Sequence, residues 1–334
     1  MSAAAVADVA VIGAGPTGLF AAFYAGMRGL SVALVDALPE PGGQISALYP
    51  EKLVRDVAGF PAVKGRDLVR SLVEQVRPFR TEMLLGRQAA RLDDRPGGRF
   101  EIGFADGGTL EAGAVVVTAG IGTFAPRTLP CGEDFLGRGL TYFVHDPAEL
   151  AGRRVLVVGG GDSALDWADA LQHSAQVTLV HRRDSFRAHR HTVDQVLAGP
   201  ARVHTETVVE QLRGDTRVSG AVLRNIATGR LTEVGCDSVV AALGFVANPG
   251  PLLGWGFDVA DRKIVVDTAM RTSRPGVFAA GDVCTHPGRV PLIAVGFGEA
   301  ATAVNHAAVR LDPTASTFPG HSTDALVAEA GVLI

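Results

Sequence analysis

Two glycine runs are the residues of this sequence best suited to do chemistry, and what they suit is holding a dinucleotide pyrophosphate. Gly13-Ala-Gly15-Pro-Thr17-Gly18 follows the apolar run Val9 to Ile12, and Gly159-Gly-Gly161-Asp162-Ser163-Ala164 follows Val155 to Val158. In such a turn the first glycine makes the bend, the second lets backbone approach the pyrophosphate, and the third position is small so that helix and strand pack closely. The amides at the helix start then face the phosphates. A lone turn of this kind can be no more than a tight bend, so the residues closing the next strand decide its use. Asp36 closes the strand after the first turn, where a carboxylate accepts hydrogen bonds from ribose hydroxyls. The second turn leads instead to His181-Arg182-Arg183-Asp184-Ser185-Phe186-Arg187. An acid there would repel a 2'-phosphate, whereas guanidinium groups bind it bidentately, so the second site reads as preferring NADPH to NADH. The competing reading is a solvated basic loop running on through His189, Arg190 and His191. Its position at the end of a strand favours the phosphate.

Positioning these residues requires a strand before each turn, a helix after it and a second strand beyond. The helices are expected over Leu19 to Met27 and Leu165 to Leu171, with returning strands at Ser31 to Val35 and Gln176 to Val180. Runs that are apolar throughout suit parallel strands buried on both faces. Between the copies, Leu68, Val69, Leu72, Val73 and Val76 have helical spacing, and strands are expected at Arg99 to Phe104 and Ala114 to Gly120. Ser238 to Gly244 repeats the latter ending. Val277 to Ala280 leads to Asp282 at a carboxyl-terminal strand edge, where open α/β sheets bind ligands. A last helix is expected from about Gly298 to Leu311. The pattern predicts an α/β protein of two Rossmann-like, three-layer dinucleotide-binding domains. Residues 1–118 and 246–334 would form the first, and 119–245 the second, inserted into it.

At 334 residues, 47% of them hydrophobic and 20% charged, the chain can bury two cores. A formal net charge of -4 argues against nucleic acid or an anionic membrane as the main partner. Met1 to Val6 lack a basic leader region and no apolar run is long enough to span a bilayer, so the expected location is the cytoplasm. Cys131, Cys236 and Cys284 lie far apart and make neither a CxxC pair nor a disulfide framework, and no metal-ligand spacing occurs.

Taken together, the two turns, the HRRxxFR run from His181 to Arg187 and Ala279-Ala-Gly-Asp282 resemble the thioredoxin-reductase-like flavoproteins over nearly the whole chain. Thioredoxin reductases carry a redox CxxC just before the second turn. Here that stretch is Thr141-Tyr-Phe-Val-His-Asp146, so two adjacent thiols for exchange are lacking. The sequence is more similar to the thioredoxin-reductase-like ferredoxin-NADP reductases. Gly42-Gly-Gln44-Ile-Ser46-Ala-Leu-Tyr49-Pro-Glu-Lys52, Asp56-Val-Ala-Gly-Phe-Pro61, Gly159 to Trp167 and Gly296-Phe-Gly-Glu-Ala300 carry that resemblance, with a C-terminal extension containing His321-Ser322-Thr323.

The resemblance implies a homodimeric FAD enzyme. It assigns Gly13, Gly15 and Thr17 to the FAD pyrophosphate turn, Asp36 to the adenosine ribose, and Gln44 and Asp282 to the flavin and its ribitol. Tyr49 would stack on one flavin face and His321 on the other, with Ser322 or Thr323 near the ring edge; the backbone at Ala89 and packing by Phe124 complete the pocket. Two departures are Asp36, where many relatives have Glu, and Leu53 to Arg55, which are apolar and aromatic in relatives. The implied reaction is hydride transfer from NADPH to FAD and one-electron transfer to ferredoxin or a similar carrier, with the flavin doing the chemistry and no catalytic side chain required. The tail over the flavin would have to move for nicotinamide to approach. An acidic carrier calls for a basic face, for which Arg66, Arg70, Arg77, Arg80 and Arg87 are candidates. Two other readings share every nucleotide residue: an NADPH diaphorase acting on a quinone or flavodoxin, and a non-catalytic flavoprotein that senses NADPH.

Overall fold

The computed structural model describes residues 5–144, 146–248 and 250–320. The chain divides into two compact units. The first comprises Met1–Ala47, Leu53–Thr123 and Asn248–Ile334, and the second comprises Leu48–Lys52 and Phe124–Ala247.

The first unit is built on a seven-stranded sheet. Thr81–Leu84, Val32–Val35, Ala5–Ile12, Thr109–Val117 and Val277–Ala279 lie side by side in parallel. Arg99–Phe104 and Ala89–Arg95 extend the sheet antiparallel from Thr109–Val117. The apolar run Val9 to Ile12 is buried along its whole length, as a central strand covered on both faces must be. The helix of the first turn, Pro16–Met27, packs against Gly65–Val76 and the C-terminal helix Ile293–Leu311. That last helix starts five residues before the expected Gly298. Glycine is a poor helix former, yet Gly296 is required here, because a Cβ at that position would lie 2.5 Å from Thr17 Oγ1.

The second unit has a five-stranded parallel sheet in the order Leu140–Thr141, Ser238–Ala241, Arg154–Val158, Gln176–Val180, Arg202–His204. Alternate side chains of its central strands feed different cores, as the two-residue repeat of a strand demands. Val155 and Val157 join Leu165, Ala168 and Leu171 beneath the helix Asp162–Leu171. Leu156 and Val158 join Val209, Leu212 and Leu223 from the antiparallel strands Thr207–Gly214 and Val218–Asn225. These are the three layers of a Rossmann-like unit, with an antiparallel sheet as the third. Both turn helices begin about three residues earlier than expected, since Pro16 and Asp162 suit the first helical turn. Among the described residues, no helix is long and apolar enough to cross a membrane and no cluster of side chains could hold a metal ion.

Candidate dinucleotide sites

The three glycines of the first turn each answer to a different contact. Gly13 has φ +114, and a Cβ there would sit 2.5 Å from the Thr118 carbonyl oxygen. A Cβ on Gly18 would fall 1.7 Å from the Gly13 carbonyl, so only glycine lets this helix lie so close to its strand. Gly15 has nothing within 4 Å of its Cβ position, leaving bare backbone facing open space. The helix behind it has no side-chain N-cap, so its first amides keep no side-chain acceptor. Thr118 locks the turn from the neighbouring strand: its hydroxyl donates to the Gly13 carbonyl at 2.8 Å, and it is almost wholly buried.

Of the other residues expected at this site, Asp36, Gln44, Thr17 and Asp282 gather at the same carboxyl-terminal edge. Asp36 accepts the Ala14 N–H at 2.6 Å through Oδ2 and the Leu38 N–H at 2.8 Å through Oδ1. Burial raises its pKa above the ordinary carboxylate value, against the lowering effect of those amides. Gly42 donates its N–H to the Ala14 carbonyl, and a Cβ on Gly43 would lie 3.1 Å from Gly15 Cα, so the Gly42-Gly43-Gln44 bend rests on the first turn. Gly42 and Gly43 form the expected turn, and Gln44 opens a short helix directly after it, Gln44–Leu48. Arg87 donates its backbone N–H to the Asp36 carbonyl, which brings the segment leading to Ala89 alongside. Thr17 is wedged between Gly281 and Gly296, whose Cβ positions would both lie within 3 Å of its hydroxyl. Asp282 follows Gly281 at the end of the strand Val277–Ala279.

Sequence reasoning missed Arg289. Its guanidinium is 4% exposed, donating from Nε to Glu299 at 2.9 Å and from Nη2 to Asp282 at 3.2 Å. Burial works against its charge, but the Glu299 carboxylate and its acidic neighbours outweigh that and raise its pKa. Glu299 lay inside the Gly296 to Ala300 motif. The missing signal was a basic residue to pair with it across the intervening loop.

In the second unit Gly159 has φ +153 and would strike the Ala242 carbonyl if it carried a Cβ, while Gly161 faces open space as Gly15 does. Ala164 is fully buried, and its methyl lies 2.8 Å from where a Cβ on Gly159 would stand, a second reason for glycine there. The basic run is pinned to this turn at two points: Arg187 N–H donates to the Gly160 carbonyl at 2.8 Å, and Asp162 accepts the His189 N–H at 2.9 Å. Arg182, Arg183 and Arg187 are exposed, and their guanidinium groups have no hydrogen-bond or ion-pair partner among the described residues. His181, expected beside them as a ligand, is instead buried. Its ring stacks on Phe186 at 5.2 Å, its Nε2 lies 3.1 Å from the Ser185 carbonyl, and Gly160 is glycine because a Cβ would collide with the ring. Burial, with help from the nearby arginines, lowers its pKa. Ser163 lines an open cleft with Trp167, Ala241 and Ala242.

Tyr49 belongs to the Leu48–Lys52 segment, which clusters with the second unit and packs on the core containing Trp167. Lys52 anchors the segment through Asp166 at 2.5 Å. Phe124 lies in the strand Thr123–Pro126, which pairs with Phe245–Asn248. His321, Ser322 and Thr323 lie outside the described residues. Among the basic candidates, Arg66, Arg70 and Arg77 fall within roughly 40° of one another around the helix Gly65–Val76 and its C-cap, at about 100° per residue. Arg80 is exposed beyond the helix. Arg87 stands apart, forked onto Asp106 and laid over the Phe104 ring.

The thiols are unsuited to redox exchange. Burial pushes Cys236 up to about 11 and Cys284 up to about 12, and raises half-buried Cys131 as well, so all three stay protonated near neutrality.

Residues 7–307 match the family model of the pyridine nucleotide-disulphide oxidoreductases. The ferredoxin–NADP reductase of Salinispora arenicola is 58% identical over 321 residues, 95% of this chain and 98% of its own. That of Thermus thermophilus is 48% identical over 324 residues, 95% and 96% of the two chains. Among solved structures, T. acidophilum thioredoxin reductase superposes with a TM-score of 0.80 at 26% identity, covering 93% of this chain and 99% of that one. Lactococcus lactis thioredoxin reductase gives 0.79 at 26% identity, covering 91% and 99%.

Proposed function

Because the chain belongs to the pyridine nucleotide-disulphide oxidoreductases, and within them to the ferredoxin–NADP reductases, we infer that it exchanges electrons between NADPH and a ferredoxin through bound FAD. The observation that carries this reading is the contrast between the two glycine turns. Each presents bare backbone to open space at its second glycine, but one is closed by Asp36 and the other is flanked by three exposed arginines. Both cradles suit a pyrophosphate, and a Cβ at Gly15 or Gly161 would fill them.

In the first unit Gly13, Gly15 and Thr17 hold the FAD pyrophosphate against the uncapped helix start. Asp36 accepts from the adenosine ribose with lone pairs not used by Ala14 and Leu38, while Gln44, Ala89 and Asp282 hold the flavin end. In the second unit Gly159, Gly161, Asp162, Ser163 and Ala164 shape the NADPH turn. Arg182, Arg183 and Arg187 take the 2'-phosphate, and His181 props the turn from below. Bound flavin supplies hydride acceptance and single-electron release. The side chains contribute orientation: the family resemblance would assign Tyr49 and Phe124 to the flavin pocket, and His321, with Ser322 or Thr323, to the other face of the ring. The Arg66, Arg70 and Arg77 stripe, with Arg80 nearby, meets the acidic carrier. The working form is a cytoplasmic homodimer.

Purified protein should be yellow, and NADPH oxidation should be fastest with ferredoxin when ferredoxin, flavodoxin and a quinone are compared. Faster turnover with the quinone would reassign the enzyme as a diaphorase, and no turnover with any acceptor would favour an NADPH sensor. Removing residues 321–334 should change the rate of flavin reduction in stopped flow. An unchanged rate removes the tail from gating.

A further inference from the structure

We propose that the Arg289–Glu299 pair is a positioning device for the first dinucleotide site, holding the Asp282 carboxylate in the orientation that receives the FAD ribitol. The inference rests on the assignment of FAD to the first unit. Its starting point is a buried arginine that neither glycine turn accounts for. Arg289 and Glu299 side chains are 4% and 5% exposed, whereas Asp282 is 44% exposed. The network therefore runs from a buried anchor to a carboxylate at the surface of the site.

Each link has a geometric reason. Glu299 projects from the C-terminal helix, and its Oε2 accepts the Gly281 N–H at 2.7 Å. Gly281 has φ +79, a conformation that favours glycine, with Thr17 of the pyrophosphate turn against it. Glu299 Oε1 accepts from Arg289 Nε at 2.9 Å, with His286 Nε2 3.4 Å away. The planar fork of arginine then has Nη2 free to reach Asp282 Oδ1 at 3.2 Å. One guanidinium thus fixes two carboxylates at a set separation, which the single point charge of a lysine cannot do. Burying these charges is costly unless each is compensated, and Glu299 compensates Arg289 without touching the outer face of Asp282. A pair retained only to steady the fold would do better as packed apolar side chains. This one instead spends its second donor on the residue that faces the site.

The test is a double-mutant cycle on the holoenzyme, read as FAD dissociation by recovery of flavin fluorescence, with melting temperature followed in parallel. Arg289→Met and Asp282→Asn are each expected to weaken FAD binding by about tenfold, the loss of one charge-assisted hydrogen bond. The double variant should be no weaker than Asp282→Asn alone, because Arg289 acts through Asp282. Arg289→Lys is expected to recover only part of the loss, and it carries the same cycle should the methionine variant not fold. Arg289 variants that keep wild-type FAD affinity, or losses that multiply to about a hundredfold in the double variant, overturn the proposal. Wild-type protein without flavin absorption would instead remove the FAD reading beneath it.

Discussion

Asp36 Oδ2 accepts the Ala14 N–H at 2.6 Å, tying the end of the second strand to the middle of the first glycine turn. One carboxylate therefore shapes the first glycine turn, and in the proposed function it also accepts from the adenosine ribose. Asp36→Ala should weaken FAD binding by roughly ten- to hundredfold, as expected for losing hydrogen bonds to a charged acceptor. Asp36→Asn keeps one acceptor oxygen and should lose less. Titrating apoprotein with FAD measures both, and wild-type affinity in the alanine variant would take Asp36 out of the site.

Glycines of the same motif should fail in different ways. At Gly15 and Gly161 a methyl group meets nothing within 4 Å, so Gly15→Ala and Gly161→Ala should melt within a few degrees of wild type. Gly15→Ala should lose FAD, and Gly161→Ala should lose NADPH while retaining FAD. At Gly18 the methyl would sit 1.7 Å from the Gly13 carbonyl, and Gly18→Ala should cost about 1–3 kcal/mol of stability. Calorimetry beside cofactor titration separates the two classes, and equal melting losses at all three positions would refute the distinction.

Discrimination between the nicotinamide cofactors should reside in the basic run. Replacing Arg182 and Arg183 together by alanine is expected to raise KM for NADPH by at least about tenfold while leaving NADH nearly unchanged. A parallel loss for both cofactors would mean that the arginines shape the turn rather than read the 2'-phosphate.

His181 gives the second unit a predictable acid response. Burial lowers its pKa below the ordinary 6.5, so the folded state holds it neutral while the unfolded chain takes up a proton near 6.5. Stability is full above that pH. It declines as pH falls through the interval between the unfolded and folded values, then levels off below both. Melting temperatures between pH 8 and 5 should fall more steeply for wild type than for His181→Gln, and identical slopes would contradict this.

Much of the architecture was readable because strand, turn and helix were signalled together. Four-residue apolar runs met glycines whose steric roles the contacts now account for individually. Element starts were less legible: Pro16 and Asp162 belong to first helical turns, and Gly296 has the look of a helix breaker although Thr17 fills the place of its missing side chain. His181 shows the limit at the site. Basic neighbours in sequence suggested a shared ligand, but adjacent residues near a strand end point to opposite faces, and this ring turned inward onto Phe186. Arg289 was invisible because its two carboxylate partners come from different elements.

The Leu48–Lys52 segment has a consequence for dissecting the protein. With its flanks in the first unit and itself in the second, the polypeptide passes from one unit to the other after Ala47, Lys52, Thr123 and Ala247. A gene fragment encoding only 124–247 would be contiguous yet incomplete, lacking the Tyr49 that covers its helical core and the Lys52 that neutralises Asp166. The second unit is a graft with two insertion points, and transplanting it intact means carrying the short peptide along.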